Sequence, residues 1–253
     1  MTDADPPGPS AEAPDAGQAS VPAGLVSSVV NLVNTGPVLL GAYTIAELTA
    51  VDAIVDFLEV RPSDDVLAEA VRSLAARQLL VAGPPGEQVQ VRGDLGIAVA
   101  FQQRARMVLD ARATGTEPGE PWRILLLPQP ERICLAVRID ALGVHELGLY
   151  KFDVALGLLD DLLPRGSRAE ARPEDDADQI LAASERSALV TATHYTTQGS
   201  AETAGASTDL VLARQDGQLH VFHRDPQDQG RLAPGTPEGK DVHDTLVDLL
   251  STG

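Results

Sequence analysis

Apolar residues recur at helical spacing early in the chain and at every second position through most of its remaining length. Ile45, Leu48, Val51, Val55 and Leu58 fall on one side of a helix. Thr44 and Glu47 open it with the reciprocal side-chain and backbone bonds of a capping box, and Arg61-Pro62 ends it. Ser63 caps a second helix, with Asp64 and Asp65 at the positive end of its dipole. Its buried face is predicted as Val66, Leu67, Ala70, Val71, Leu74 and Ala75, and it stops before Gly83-Pro84-Pro85-Gly86. Val89 and Val91 then alternate with Gln88, Gln90 and Arg92, the pattern of a half-buried strand. A further helix is predicted over 94–105, on Leu95, Ile97, Val99 and Phe101. Upstream, Ala23 to Leu40 is apolar but interrupted by Gly24, Gly36 and Pro37, which predicts a short helix or irregular packing.

From Arg106 the period becomes two. Strands are predicted at 107–112, 122–127, 133–139 and 144–152, then a helix on Val154, Leu156, Leu158, Leu159 and Leu162. The charged, proline-bearing segment 164–178 is the internal linker candidate. A strand over 188–195 leads into the small polar stretch 196–208, read as a loop. Asp209–Arg214 and Gln218–His223 form a hairpin around Asp216-Gly217, and a last helix covers 240–250 on Val242, Leu246, Leu249 and Leu250. The fold class is therefore α+β: an antiparallel sheet built from two meander-plus-helix halves, after an N-terminal helical region. The boundaries are an acidic leader at 1–22, read as disordered, and a single α+β domain at 23–253. That domain divides into a helical part (23–105), a first meander plus helix (106–163), a linker and helix (164–187) and a second meander plus helix (188–253).

Composition narrows the partners. Thirty-seven acidic residues stand against 19 basic ones, a formal net charge of −18, and only Lys151 and Lys240 are lysines. The order of helix, corner and strand across Leu67–Val91 is winged-helix-like, and winged helices often bind DNA. Over 42–112, however, seven arginines face ten acidic residues, 7 − 10 = −3. The second helix, which would enter the groove, opens with Asp64 and Asp65. Such a field repels a phosphate backbone, so no nucleic-acid partner is expected. No apolar run approaches the roughly 18–20 residues of a membrane span, so no membrane insertion is expected either, and the location read from the sequence is cytoplasmic.

Candidate chemistry is sparse. There is no glycine-rich phosphate loop and no Gly-x-Ser-x-Gly elbow. His220 and His223, three apart on a strand, point to opposite faces and converge poorly on a metal. His194 lacks a carboxylate partner by spacing, and His145 and Glu146 are strand neighbours that face apart. Cys134 sits in the apolar run Ile133–Val137 and reads as a buried, inert thiol. Trp122 reads as a core anchor. The run Glu174-Asp175-Asp176-Ala177-Asp178 lacks the glycine and final glutamate of a calcium loop, and favourable charge at a helix start explains it. The expectation is no catalytic residue, no cofactor and no metal.

Val71-Arg72-Ser73-Leu74-Ala75-Ala76-Arg77-Gln78-Leu79-Leu80 follows L-x-x-L-x-A-R-x-L-L, with valine for the first leucine. Together with the element order over roughly residues 40–250, it resembles the EspG family, cytoplasmic chaperones associated with type VII (ESX) secretion. The resemblance implies a quasi-two-fold α/β arrangement around a central antiparallel sheet. It also implies a non-enzymatic role, in which the chaperone binds the tip of a helical PE–PPE heterodimer and keeps it soluble for export. The implied client surface is the central sheet and its loops, with 114–121 and 196–208 the most accessible. The alternative is a winged-helix transcriptional regulator whose C-terminal portion senses a ligand or dimerises.

Overall fold

In the computed structural model, which describes residues 22–53, 61–83, 89–172, 176–198, 201–224, 231–236 and 239–251, the first apolar stretch is two elements. Helix α1 (Ala23–Thr35) gives way at Gly36-Pro37 to strand β1 (Val38–Thr44), an edge strand of the main sheet. The pairing register of β1 shifts between Leu39 and Gly41, and Gly41 has a φ of 108°. This bulge breaks the alternation that would have marked the strand. The capping box forms as expected: the Glu47 amide donates to Thr44 Oγ1 at 3.2 Å, and the Thr44 amide donates to Glu47 Oε2 at 3.0 Å. The helix it starts, α2 (Ile45–Ala50), is shorter than its apolar spacing predicted. Asp52 takes a left-handed φ of 54°, and the Ala53 amide turns back to the Leu48 carbonyl. Val55 and Leu58 lie outside the described residues.

Helix α3 (Asp64–Ala76) starts where expected, but its face is rotated. Ala70 and Leu74 are buried, whereas Val66 and Val71 are exposed. Strands β2 (Leu80–Val81) and β3 (Gln90–Val91) pair as a short ribbon, and α4 (Gly93–Arg104) follows. Glu47 links α2 to α3, accepting from Ser73 Oγ at 2.8 Å and Arg77 Nη1 at 3.0 Å.

Strands β4 (Met107–Thr114), β5 (Arg123–Pro128), β6 (Ile133–Ile139) and β7 (Val144–Lys151) pair in chain order, and α5 (Phe152–Leu162) follows. The linker candidate is not a bare linker. It contributes β8 (Ser167–Arg168), which joins the sheet in parallel, and then α6 (Ala177–Ala183), capped by Asp176 through the amides of Asp178 and Gln179. Strands β9 (Arg186–Gln198), β10 (Ala201–Gln215), β11 (Gln218–Arg224) and β12 (Leu232–Pro234) complete the sheet before α7 (Val242–Ser251). The β10–β11 turn is the expected one, with φ of 51° at Asp216 and 75° at Gly217. The strand order is β1-β7-β6-β5-β4-β9-β10-β11-β12, with β8 also on β11, so the protein is mixed α+β around a ten-stranded, almost wholly antiparallel sheet.

Because side chains alternate across a strand, each face of this sheet builds its own core. Val108, Leu125, Leu127, Leu135, Val137 and Leu149 pack with residues of α1–α4. Leu109, Leu126, Cys134, Ala136, Val190 and Leu212 pack against α5 and α7. Burying each leucine or valine contributes roughly 1.5–3 kcal/mol, so a run such as Ile133–Val137, buried throughout, holds both layers to the sheet. Among the described residues no helix is long and apolar enough to cross a membrane.

Candidate protein-binding surface

Where β4 meets β9 and β10, the two sheet faces differ in chemistry. Ala111, Val190, Ala192 and Leu210 bury into the α5/α7 core. The residues between them, facing the other way, are mostly polar and partly exposed, with Leu189 exposed and Val211 buried. Asp110 lies opposite Thr191, which lies opposite Asp209; Arg112 lies opposite Leu189, which lies opposite Val211. Cross-strand bonds hold this strip rigid. Arg123 grips Asp110 with two bonds of 2.8 Å, and Arg112 adds a third at 3.1 Å. Thr191 Oγ1 donates to Asp209 at 2.8 Å, Arg224 pairs with the same carboxylate, and the Thr114 and Ser187 hydroxyls meet at 2.8 Å. Leu189, 37% exposed, stands in the middle as an apolar contact point.

Strands β9 and β10 run past the end of the sheet. The pairing of β4 with β9 ends at Met107 opposite His194, while β9 and β10 stay paired out to Gln198 opposite Ala201. The segment expected to be a loop over 196–208 is therefore the distal part of a long hairpin. Its Thr, Ala, Gly and Ser content reads as loop because an arm beyond the core needs no apolar alternation. Residues 114–121 form a tethered turn: Gly115 has φ of 67°, and a Cβ there would lie 2.3 Å from the Glu185 carbonyl oxygen. Glu120 in the same turn pairs with Arg186 at 2.9 Å.

The side chains singled out for chemistry do not converge. His145 is buried, its Nδ1 3.0 Å from the Gly143 carbonyl oxygen, and burial holds its pKa below the usual histidine range. Glu146 pairs with Arg138. His220 lies opposite Ala213 and His223 opposite Leu210, on opposite sides of β11; His223 Nδ1 meets the Gly235 carbonyl at 2.9 Å. His194 shares the α5/α7 side with Met107. Cys134 is fully buried, and burial pushes its pKa up to about 12. Trp122 Nε1 donates to the Asp140 carbonyl at 2.9 Å, and its ring packs on the α1–α4 core. Of the acidic run, Asp176 is a helix cap, while Glu174 and Asp175 lie outside the described residues. Among the described residues, no group of three or more His, Cys, Asp or Glu side chains is arranged to hold a metal ion. What the arrangement offers is recognition by a stiff, hydrogen-bonding sheet surface, and the Arg123–Asp110–Arg112 cluster at its centre was invisible as a motif because its members come from two strands. No protein-family model matches the chain, and a comparison with curated proteins finds no match.

Proposed function

We propose that the protein is a non-enzymatic binding protein, an EspG-like chaperone or adaptor that holds helical type VII secretion substrates soluble for export. The observation that carries this reading is the strand order. The run β7-β6-β5-β4 is mirrored across the β4–β9 pair by β9-β10-β11-β12. The helices that follow the two runs, α5 and α7, pack into the same core. This supports two meander-plus-helix halves, the quasi-two-fold arrangement that the resemblance implies. The succession α2, α3 and the β2–β3 ribbon supports a winged-helix-like N-terminal part that serves as scaffold.

On this reading the client's apolar helix tip rests on Leu189 and the polar strip of β4, β9 and β10, while the β9–β10 arm lies along its side. Fixed cross-strand bonds keep the surface preorganised, so little ordering cost falls on binding. The acidic field favours basic client segments and keeps the complex soluble. Shortening the arm, by deleting residues 196–206 and closing with Asn-Gly, tests the assignment. A folded variant that no longer retains a co-expressed PE–PPE pair supports it, and undiminished retention by that variant removes the arm from the interface.

A further inference from the structure

A cleft of about 660 Å³ lies on the α5/α7 side of the sheet, between the β5–β6 turn, the start of α5, the length of α7 and the start of β4. That volume is typical of small-molecule sites, which span roughly 300–1,000 Å³. Met107, Leu156, Val247 and Leu250 give it an apolar floor, with Phe152 beside them. Around that floor stand Arg104, Arg106, Arg132 and His243, against Asp153 as the one lining carboxylate. In a chain of net charge −18, three arginines gather here beside apolar surface, with Glu131, Asp153 and Asp160 paired to Arg104, Arg132 and His243 around them.

The arginines are set to meet a ligand. Arg132 and Asp153 are 3.5 Å apart with side chains 79% and 82% exposed, a loose pair that an incoming anion can replace. Arg104 pairs with Glu131 through Nη2, while its Nη1 is buried with no acceptor among the described residues. Arg106 is exposed and donates to the Gln103 and Ala105 carbonyls. His243 stands 3.4 Å from Asp160 at the edge. The wall at α5 is a helix start with Asp153 in its first turn, and the Phe152 amide donates to the Arg132 carbonyl at 3.0 Å.

We propose that this cleft binds an amphipathic organic anion, an acyl or aryl body carrying one carboxylate or phosphate. The body lies on the Met107–Leu156–Leu250 floor and the anionic head meets the arginine rim. Neither property alone suffices: a neutral chain leaves the arginines unused, and a bare anion leaves the floor wet.

Calorimetric titration of the full chain at low salt tests this with decanoate, decanol, acetate and decyl phosphate. The expected result is saturable, one-site binding of decanoate, with decanol and acetate at least ~10-fold weaker. A preference for decyl phosphate over decanoate assigns the head to a phosphate source, and the reverse to a free acid; both support the site. Arg106→Glu combined with Arg132→Glu, two exposed positions, is expected to weaken decanoate at least ~10-fold while circular dichroism and the thermal midpoint stay unchanged. Absence of saturable binding by both decanoate and decyl phosphate, equal binding of decanol, or full affinity in the double variant overturns the proposal. The double variant alters no residue of the polar strip or of the arm, so client retention and ligand binding are read separately.

Discussion

Replacing Glu47 with alanine tests how the N-terminal helices are tied to one another. Its carboxylate closes the α2 capping box with Thr44, accepts the Ser73 hydroxyl and pairs with Arg77, all from a side chain only 8% exposed. The Thr44 cap itself stays, and losing the reciprocal bond from the Thr44 amide costs about 1 kcal/mol. Leaving the Ser73 hydroxyl without its acceptor costs about another 1 kcal/mol. Arg77, 42% exposed and stacked 5.0 Å from the Tyr43 ring, returns to water for under about 1 kcal/mol. The sum is about 2–3 kcal/mol, or roughly 5–10 °C in the thermal midpoint of a chain this long. Urea unfolding followed by circular dichroism measures it. The pH dependence supplies a second check. Burial alone would raise the Glu47 pKa, but the bonds from Thr44 and Ser73 and the Arg77 charge outweigh it and hold the carboxyl below its usual range. A carboxyl whose folded pKa is depressed stabilises the fold fully above its unfolded pKa, and that stability is lost as pH falls through the folded pKa. The gap between wild type and Glu47→Ala must therefore hold from neutrality to the ordinary glutamate range and shrink below it. A gap under about 0.5 kcal/mol at pH 7, the size of an ordinary surface substitution, or one that widens in acid, refutes the assignment of Glu47 as the tie.

Arg123→Met leaves Asp110 mostly buried with only Arg112 beside it and is expected to cost about 3 kcal/mol; adding Asp110→Leu should restore more than half of that in the same urea assay. Gly115→Ala forces a Cβ to 2.3 Å from the Glu185 oxygen at a positive φ, so a loss above about 1 kcal/mol is expected, read as a lower thermal midpoint. Cys134, buried with its pKa pushed up to about 12, should resist a thiol-specific disulfide reagent at pH 8 in the folded protein and react at once in denaturant; rapid native labelling contradicts its placement.

Periodic strands with a covered core were legible from their spacing: β6 spans the residues predicted for it, and β4, β5 and β7 differ by a residue or two at their ends. The elements that escaped did so for physical reasons. The Gly41 bulge disguised β1, and the Thr, Ser, Ala and Gly of 196–208 carry no apolar alternation to mark a strand. Strands β8 and β12, two and three residues long, gain their pairing only from β11 beside them. The α3 face was misjudged because Val66 and Val71 look like core by type, yet Ala70 and Leu74 are the buried positions and α3 packs on α2. The surface strip was hidden for a related reason: Asp110, Arg123, Thr191 and Asp209 meet only once two hairpin registers and the long-range β4–β9 register are set.

Co-expression with a PE–PPE-type helical pair, followed by affinity capture of the tagged full chain and size-exclusion chromatography, tests the central claim most directly. The account predicts a stable, co-eluting complex with a PE–PPE-type pair that is lost on shortening the β9–β10 arm. Failure to retain any such partner, together with a gel shift of its own upstream DNA at low salt, would contradict it.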